Sequence, residues 1–214
     1  MFSPRDFSKG IMQITRVSVW RRATTSVAMR ADPQFKFVLD QTCYIAPFLR
    51  AHPEERPFVE EMIAAGRLQI TCGMHAMPDV NIPSGESFIR QVLAGKSWCR
   101  EELGLDVRSG WLLDTFGQHP QIPQLMAKCG FDHNVFQRLG AFDGPTEYWW
   151  QGLDGTQLFC HWMRSTYCVL YPAPGNLHEF KQFADLHLAQ LKKHALTPHL
   201  LAVSGADLTH VQPH

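Results

Sequence analysis

Two acids stand out because each closes an apolar run. Trp111-Leu112-Leu113 follows Gly110 and ends in Asp114, while His199-Leu200-Leu201-Ala202-Val203-Ser204 leads through Gly205-Ala206 to Asp207. Short apolar runs bounded by glycine read as strands, so each carboxylate falls at the carboxyl edge of one. In parallel α/β folds helices cover the faces of the sheet, and ligands are met at that edge. An Asp there is ordinarily a turn or helix-cap residue. Two brought to one rim from distant parts of the chain could instead divide covalent work, one attacking and the other moving a proton.

The elements that must position them follow from periodicity. Ile11 to Trp20 alternates and is rich in β-branched residues, which predicts a first strand, with a helix within 21–30. Phe35 to Leu39 and Arg67 to Thr71 predict two more strands. Between them lie a helix from about Cys43 to Arg50 and another carrying Phe58, Met62, Ile63 and Ala65 inward and stopping at Gly66. Ser84 is placed to cap a helix that runs to Gly104 with Phe88, Val92, Leu93 and Trp98 inward, and Glu86 suits its first turn. A helix from about Pro120 to Cys129 and a strand over Phe131 to Arg138 follow the central Asp. Leu177 to Lys193 is expected to turn Phe180, Phe183, Leu186, Leu188 and Leu191 inward. Strand and helix alternate through most of the chain, the pattern of parallel βα units.

Two stretches depart from that alternation. The connection from Cys72 to Ser87 is long for a βα loop, and long loops at this rim commonly bind ligands. Glu147 to Gln151 and Gln157 to Met163 flank Gly152-Leu153-Asp154-Gly155, a hairpin signal with Asp154 as a turn residue. The aromatic residues Tyr148, Trp149, Trp150 and Trp162 are expected to pack within that hairpin.

Four motifs together resemble the N-terminal catalytic domain of the family 38 α-mannosidases. W-x-x-D-x-F-G is met by Trp111, Asp114, Phe116 and Gly117, followed by Pro123-Gln124-Leu125-Met126, Gly130-Phe131 and a strand ending in Arg138. P-D-x-N-x-x-S-G-E-S-x-x-R-Q is met from Pro78 to Gln91, E-(F/Y)-x-W-x-G-x-D-G-(S/T) from Glu147 to Thr156, and G-x-D at Gly205 to Asp207. The resemblance implies a seven-stranded, parallel β/α barrel-like domain and retaining hydrolysis of terminal α-mannosides in mannose-containing oligosaccharides or glycosides. It implies Asp114 as nucleophile and zinc ligand, and Asp207 as general acid/base. Phe116 would line the sugar site, with Asp79 and Arg138 also meeting substrate.

The resemblance also exposes a departure. The family's first strand ends H-x-D-x-x-W and supplies two zinc ligands; anchored on Trp20, those positions hold Thr15 and Val17. Threonine is a feeble zinc ligand and valine is none. A further family ligand, a His, comes from a later domain. Residues 1–214 are therefore expected to form a single, truncated domain of this kind without the family's helical bundle and β-sandwich regions, with little or no turnover alone. Alternatives are a degenerate relative that binds carbohydrate without cleaving it, and another metal-dependent barrel such as a carbohydrate deacetylase, in which Asp114 would join histidines.

Composition excludes several other classes. Lysine plus arginine and aspartate plus glutamate each total 20, without blocks of one sign, so bulk electrostatics favour no nucleic-acid or anionic-membrane partner. With 45% hydrophobic and 19% charged residues the chain has the make-up of a globular protein. No window approaches a membrane span, and a soluble, cytoplasmic protein is expected. Six cysteines without a C-x-x-C pair read as small buried thiols. None of the eleven histidines forms an H-x-x-x-H or H-E-x-x-H pair on a predicted helix.

Overall fold

The computed structural model describes the backbone of residues 12–14 and residues 24–140 and 143–206. In chain order the strands are β1 (Met12–Ile14), β2 (Phe37–Gln41), β3 (Leu68–Met74), β4 (Ser109–Leu112), β5 (His133–Phe136), β6 (Glu147–Gln151), β7 (Gln157–Trp162) and β8 (Val203–Ser204). The helices are α1 (Thr24–Ala31), α2 (Thr42–Ala51), α3 (Arg56–Ala64), α4 (Gly85–Leu103), α5 (Ile122–Lys128) and α6 (Leu177–Lys192). Thr15, Val17, Trp20 and Asp207 lie outside the described residues.

The ladders form two four-stranded sheets, ordered β3-β2-β1-β8 and β4-β5-β7-β6. In the first, β1 runs parallel to β2 and to β8. In the second, β4, β5 and β7 are parallel and β6 returns antiparallel beside β7. The fold is thus mixed α/β. The expected single set of seven parallel strands is not what these ladders trace, because the Asp154-Gly155 turn reverses the chain and makes β6 an antiparallel edge. Asp154 Oδ1 accepts the Thr156 N–H at 3.1 Å and Oδ2 the Thr156 hydroxyl at 2.8 Å, the turn role expected for it.

Chain contacts divide the molecule into two compact units. One comprises Met1–Leu39, Glu54–Gln69 and Ser165–His214. Within it, Arg67 reaches back to the carbonyls of Met29, Asp32 and Phe35. α3 buries Val59 and Met62, so its inward stripe includes Val59, while Ala65 is exposed. α6 differs from expectation more: none of its residues is buried, and Leu186 is 60% exposed. Phe180, Phe183, Leu188 and Leu191 are half-buried along one stripe, and Leu186 falls off it.

The other unit comprises Asp40–Pro53 and Ile70–Arg164. Its longest helix, α4, has the caps expected: the Ser84 hydroxyl accepts the Ser87 N–H at 3.2 Å, and Gly104 closes the helix at φ +65°. The buried stripe is Phe88, Val92, Gly95 and Cys99; Leu93, expected inward, is 57% exposed because it sits one residue round from that stripe. Gly95 is where α4 approaches the end of β3 most closely. A Cβ there would lie 2.4 Å from the Gly73 carbonyl oxygen and 2.4 Å from the Met74 carbonyl carbon. The β3 backbone at that point is itself unusual, with Cys72 and Gly73 both left-handed at φ +62° and +58°.

All six cysteines are free thiols. Burial pushes the Cys99 thiol up to about 11 and that of Cys160 up to about 12, so both pack as apolar groups, as expected. No described helix is long and apolar enough to cross a membrane.

Since the obstacle at Gly95 is backbone, it cannot rotate away. Gly95→Ala is expected to cost about 1–3 kcal/mol in denaturant unfolding, whereas Ala94→Gly on the exposed face should cost about 1 kcal/mol or less.

Candidate functional site

The second sheet builds the site by register. β4 and β5 pair in parallel, from Ser109 opposite His133 to Leu112 opposite Phe136. Two residues beyond the last pair, Asp114 and Arg138 meet across the same strands. Arg138 donates from Nε and Nη2 to Asp114 Oδ1 at 2.9 and 2.6 Å. At the amino ends of these strands Arg108 pairs with Asp132, through Nε to Oδ2 at 2.8 Å and Nη2 to Oδ1 at 2.6 Å. Both ion pairs span 24 positions, so the same offset is fixed at each end of the ladder. Charge-assisted hydrogen bonds such as these are roughly twice as strong as neutral ones.

The turn after β4 is locked from within. Thr115, buried, is hydrogen-bonded through its carbonyl and hydroxyl by the Gln118 amide at 3.2 and 3.1 Å. That anchor throws Phe116 outward, where its ring is 56% exposed. The Arg138 guanidinium carbon stands 5.1 Å from the Phe116 ring centroid, within cation–π range. One arginine therefore touches both the acid and the ring. Gly117 completes the turn at φ +82°, and a Cβ there would overlap the side-chain amide of Asn81.

Asn81 belongs to the long loop before α4, which is tied down along its length. The Gln41 Oε1 accepts the Met77 N–H at 2.7 Å, and Gln91 Oε1 accepts the Ala76 N–H at 3.0 Å. Asp79 Oδ1 accepts the Asn81 N–H at 3.3 Å, folding the loop tip that rests on Gly117. Glu86 pairs instead with Arg90 one helical turn on, at 2.8 Å, both well exposed.

Of the residues singled out by sequence, Asp114, Phe116 and Arg138 are brought together. Asp79 enters through the contact of Asn81 with Gly117. Two groups escaped notice. Asp40 is a buried carboxylate at the end of β2, 4% exposed, with Gln41 beside it. The signal was there, since Val38-Leu39-Asp40 repeats the apolar run into an acid seen at Leu112-Leu113-Asp114. The other is the pair Glu147 and His161, directly opposite on β6 and β7. Their side chains are 3.8 Å apart, and Glu147 Oε2 accepts the Thr146 hydroxyl at 2.7 Å.

The aromatic residues of the hairpin pack as expected. Phe136 meets Trp150 at 5.6 Å and Tyr148 edge-on at 6.5 Å, and Trp162 Nε1 donates to the Gln137 carbonyl at 2.6 Å. Trp149 packs edge-on against Phe159 on the outer face, 65% exposed. Among the described residues no three His, Cys, Asp or Glu side chains gather as a metal site would require.

The chain is similar to known proteins. The family model "Glycosyl hydrolases family 38 N-terminal domain" matches residues 12–214. Human alpha-mannosidase 2C1 is 31% identical over 138 residues, which is 62% of this chain and 13% of that protein. Alpha-mannosidase G of Dictyostelium discoideum is 33% identical over 144 residues, 65% of this chain and 13% of that protein. The crystal structure of an alpha-mannosidase from Enterococcus faecalis V583 superposes with a TM-score of 0.80 at 24% identity, covering 95% of this chain and 26% of the other. The matched region thus spans about 13% of the length of those two curated relatives.

Burial lowers the His161 imidazole below its ordinary 6.5, with Glu147 opposing in part. Folded His161 then binds fewer protons than the unfolded chain does. Stability it leaves intact above 6.5 is lost as pH falls through that value toward the folded one. Unfolding free energy is expected to drop between pH 7 and 5.5, with a shallower drop in His161→Gln; an unchanged slope in that variant would contradict the assignment. Burial lowers His133 too, so part of the slope remains.

Proposed function

This chain belongs to glycosyl hydrolase family 38, whose N-terminal domain matches residues 12–214, and from that premise we propose that it is the sugar-cleaving domain of a retaining α-mannosidase. The carrying observation is the Asp114 carboxylate at the end of β4, gripped by Arg138 with the exposed Phe116 ring alongside. On this reading residues 1–214 are one β/α barrel-like domain, and the substrate is a terminal α-mannoside of an oligosaccharide or other glycoside.

Retention requires two carboxylates about 5 Å apart. Asp114 attacks the anomeric carbon and forms a glycosyl ester as the bond to the leaving oxygen breaks, and Asp207 supplies the proton that oxygen takes. Asp207 then removes a proton from water, whose oxygen displaces Asp114 from the anomeric carbon. Arg138 fixes the direction of attack, because both of its donors converge on one Asp114 oxygen. The Phe116 ring offers an apolar face to the C–H side of the pyranose, and Asp79 shapes the loop on the facing side.

A zinc ion is what the family resemblance asks for, and Asp114 is the residue that would hold it here. The described residues do not fit such an ion by themselves: Asp114 Oδ1 already accepts two N–H groups of a cation, and no further ligands gather beside it. Thr15 and Val17, at the family's other ligand positions, are poor substitutes. Slow turnover by this chain alone is the corresponding proposal.

Release of 4-nitrophenol from its α-mannoside tests the reading. A slow release abolished by Asp114→Asn, with mannoside binding retained, is expected. Release that Asp114→Asn leaves undiminished would overturn the assignment, as would a chain that neither cleaves nor binds the mannoside.

A further inference from the structure

We infer that Asn81 is a substrate-binding residue whose side-chain amide hydrogen-bonds a hydroxyl of the pyranose held at Phe116. The inference rests on the sugar-site reading above and adds a residue to it. Asn81 is set at the site by a hydrogen bond to its backbone N–H, not by one to its own side chain. Its own N–H is taken by Asp79, which folds the loop tip. Its amide is then laid against Gly117, the one residue of the Asp114–Gly117 turn that lacks a side chain, at a place a Cβ would occupy.

The consequence is an amide held in position with its hydrogen-bonding capacity unspent. Asn81 is exposed, and its side chain makes no hydrogen bond among the described residues. A primary amide carries two donors and an acceptor. Sugar hydroxyls need partners of that kind, beside an apolar surface for the ring's C–H face, and Phe116 immediately precedes Gly117 in the same turn. An amide that served only to brace the loop would be expected to bond the Phe116 or Gly117 backbone, and among the described residues Asn81 is hydrogen-bonded only through its own N–H. Packing holds Asn81 while leaving its polar atoms for a ligand, which is the division of labour a preorganised binding residue requires.

Calorimetric titration of methyl α-mannoside into the full chain and its variants tests this. Asn81→Ala is expected to weaken binding about three- to tenfold, the worth of one neutral hydrogen bond. Its melting temperature should move by no more than about 2 °C, since only an exposed side chain without hydrogen bonds is removed and the backbone N–H bond to Asp79 stays. Asn81→Asp, which keeps shape and an acceptor, should recover part of the affinity. Unchanged affinity in Asn81→Ala would overturn the Asn81 assignment while leaving the site reading in place. A loss of affinity matched by a large fall in melting temperature would make Asn81 a loop brace and overturn it too. A parent chain that binds no mannoside would overturn the site reading itself, and this inference with it.

Discussion

The in-register pairing of β4 with β5 is the constraint on which the site depends. Parallel strands cannot slip by one residue without turning every side chain to the opposite face, and this ladder is fastened at both ends by ion pairs of equal offset. Arg108 and Asp132 hold the amino ends, and Asp114 and Arg138 the carboxyl ends, with the charges exchanged between strands. The exposed lower pair contributes little to stability on its own. Its geometry nevertheless agrees with the register that brings the upper pair together, and consistency of this sort is what specifies a single arrangement.

Glycines set how closely the surrounding elements approach. At Gly110 a Cβ would lie 2.4 Å from the Met126 methyl and 2.7 Å from Asn134 Oδ1, so the absence of a side chain lets α5 and β5 close on β4 beside the strand end that carries Asp114. At Gly95 the same device seats α4 on β3, and at Gly117 it admits Asn81. At Gly95 the neighbouring atoms are backbone, which does not relax as a flexible side chain would, whereas at Gly110 and Gly117 the nearest atoms belong to the side chains of Met126 and Asn81.

Much of the site was legible from residue order, because the cues were local. An apolar run into Asp114, a glycine at 117 and a strand running toward Arg138 give the turn and its partner. Ser84 and Gly104 bound α4 by ordinary capping chemistry, and Asp154-Gly155 gives the hairpin. What was not legible depends on neighbours distant in sequence. Leu93 and Leu186 carry the right residue type for a core, yet lie off the stripes that their helices bury, and hydropathy alone does not reveal the phase of a stripe. Asp40 was passed over although it ends a strand as Asp114 does, since no motif drew attention to it. That β4, β5 and β7 ladder together while β1, β2, β3 and β8 form another sheet follows from pairings that periodicity does not encode.

On the function proposed above, a sugar ring is held where Arg138 joins Asp114 to Phe116. A crystal structure of the chain grown with an α-mannoside tests it most directly. The pyranose is expected to stack on the Phe116 ring with its anomeric carbon facing the Asp114 carboxylate. A sugar bound away from both residues, with the Asp114–Arg138 pair untouched, would contradict it.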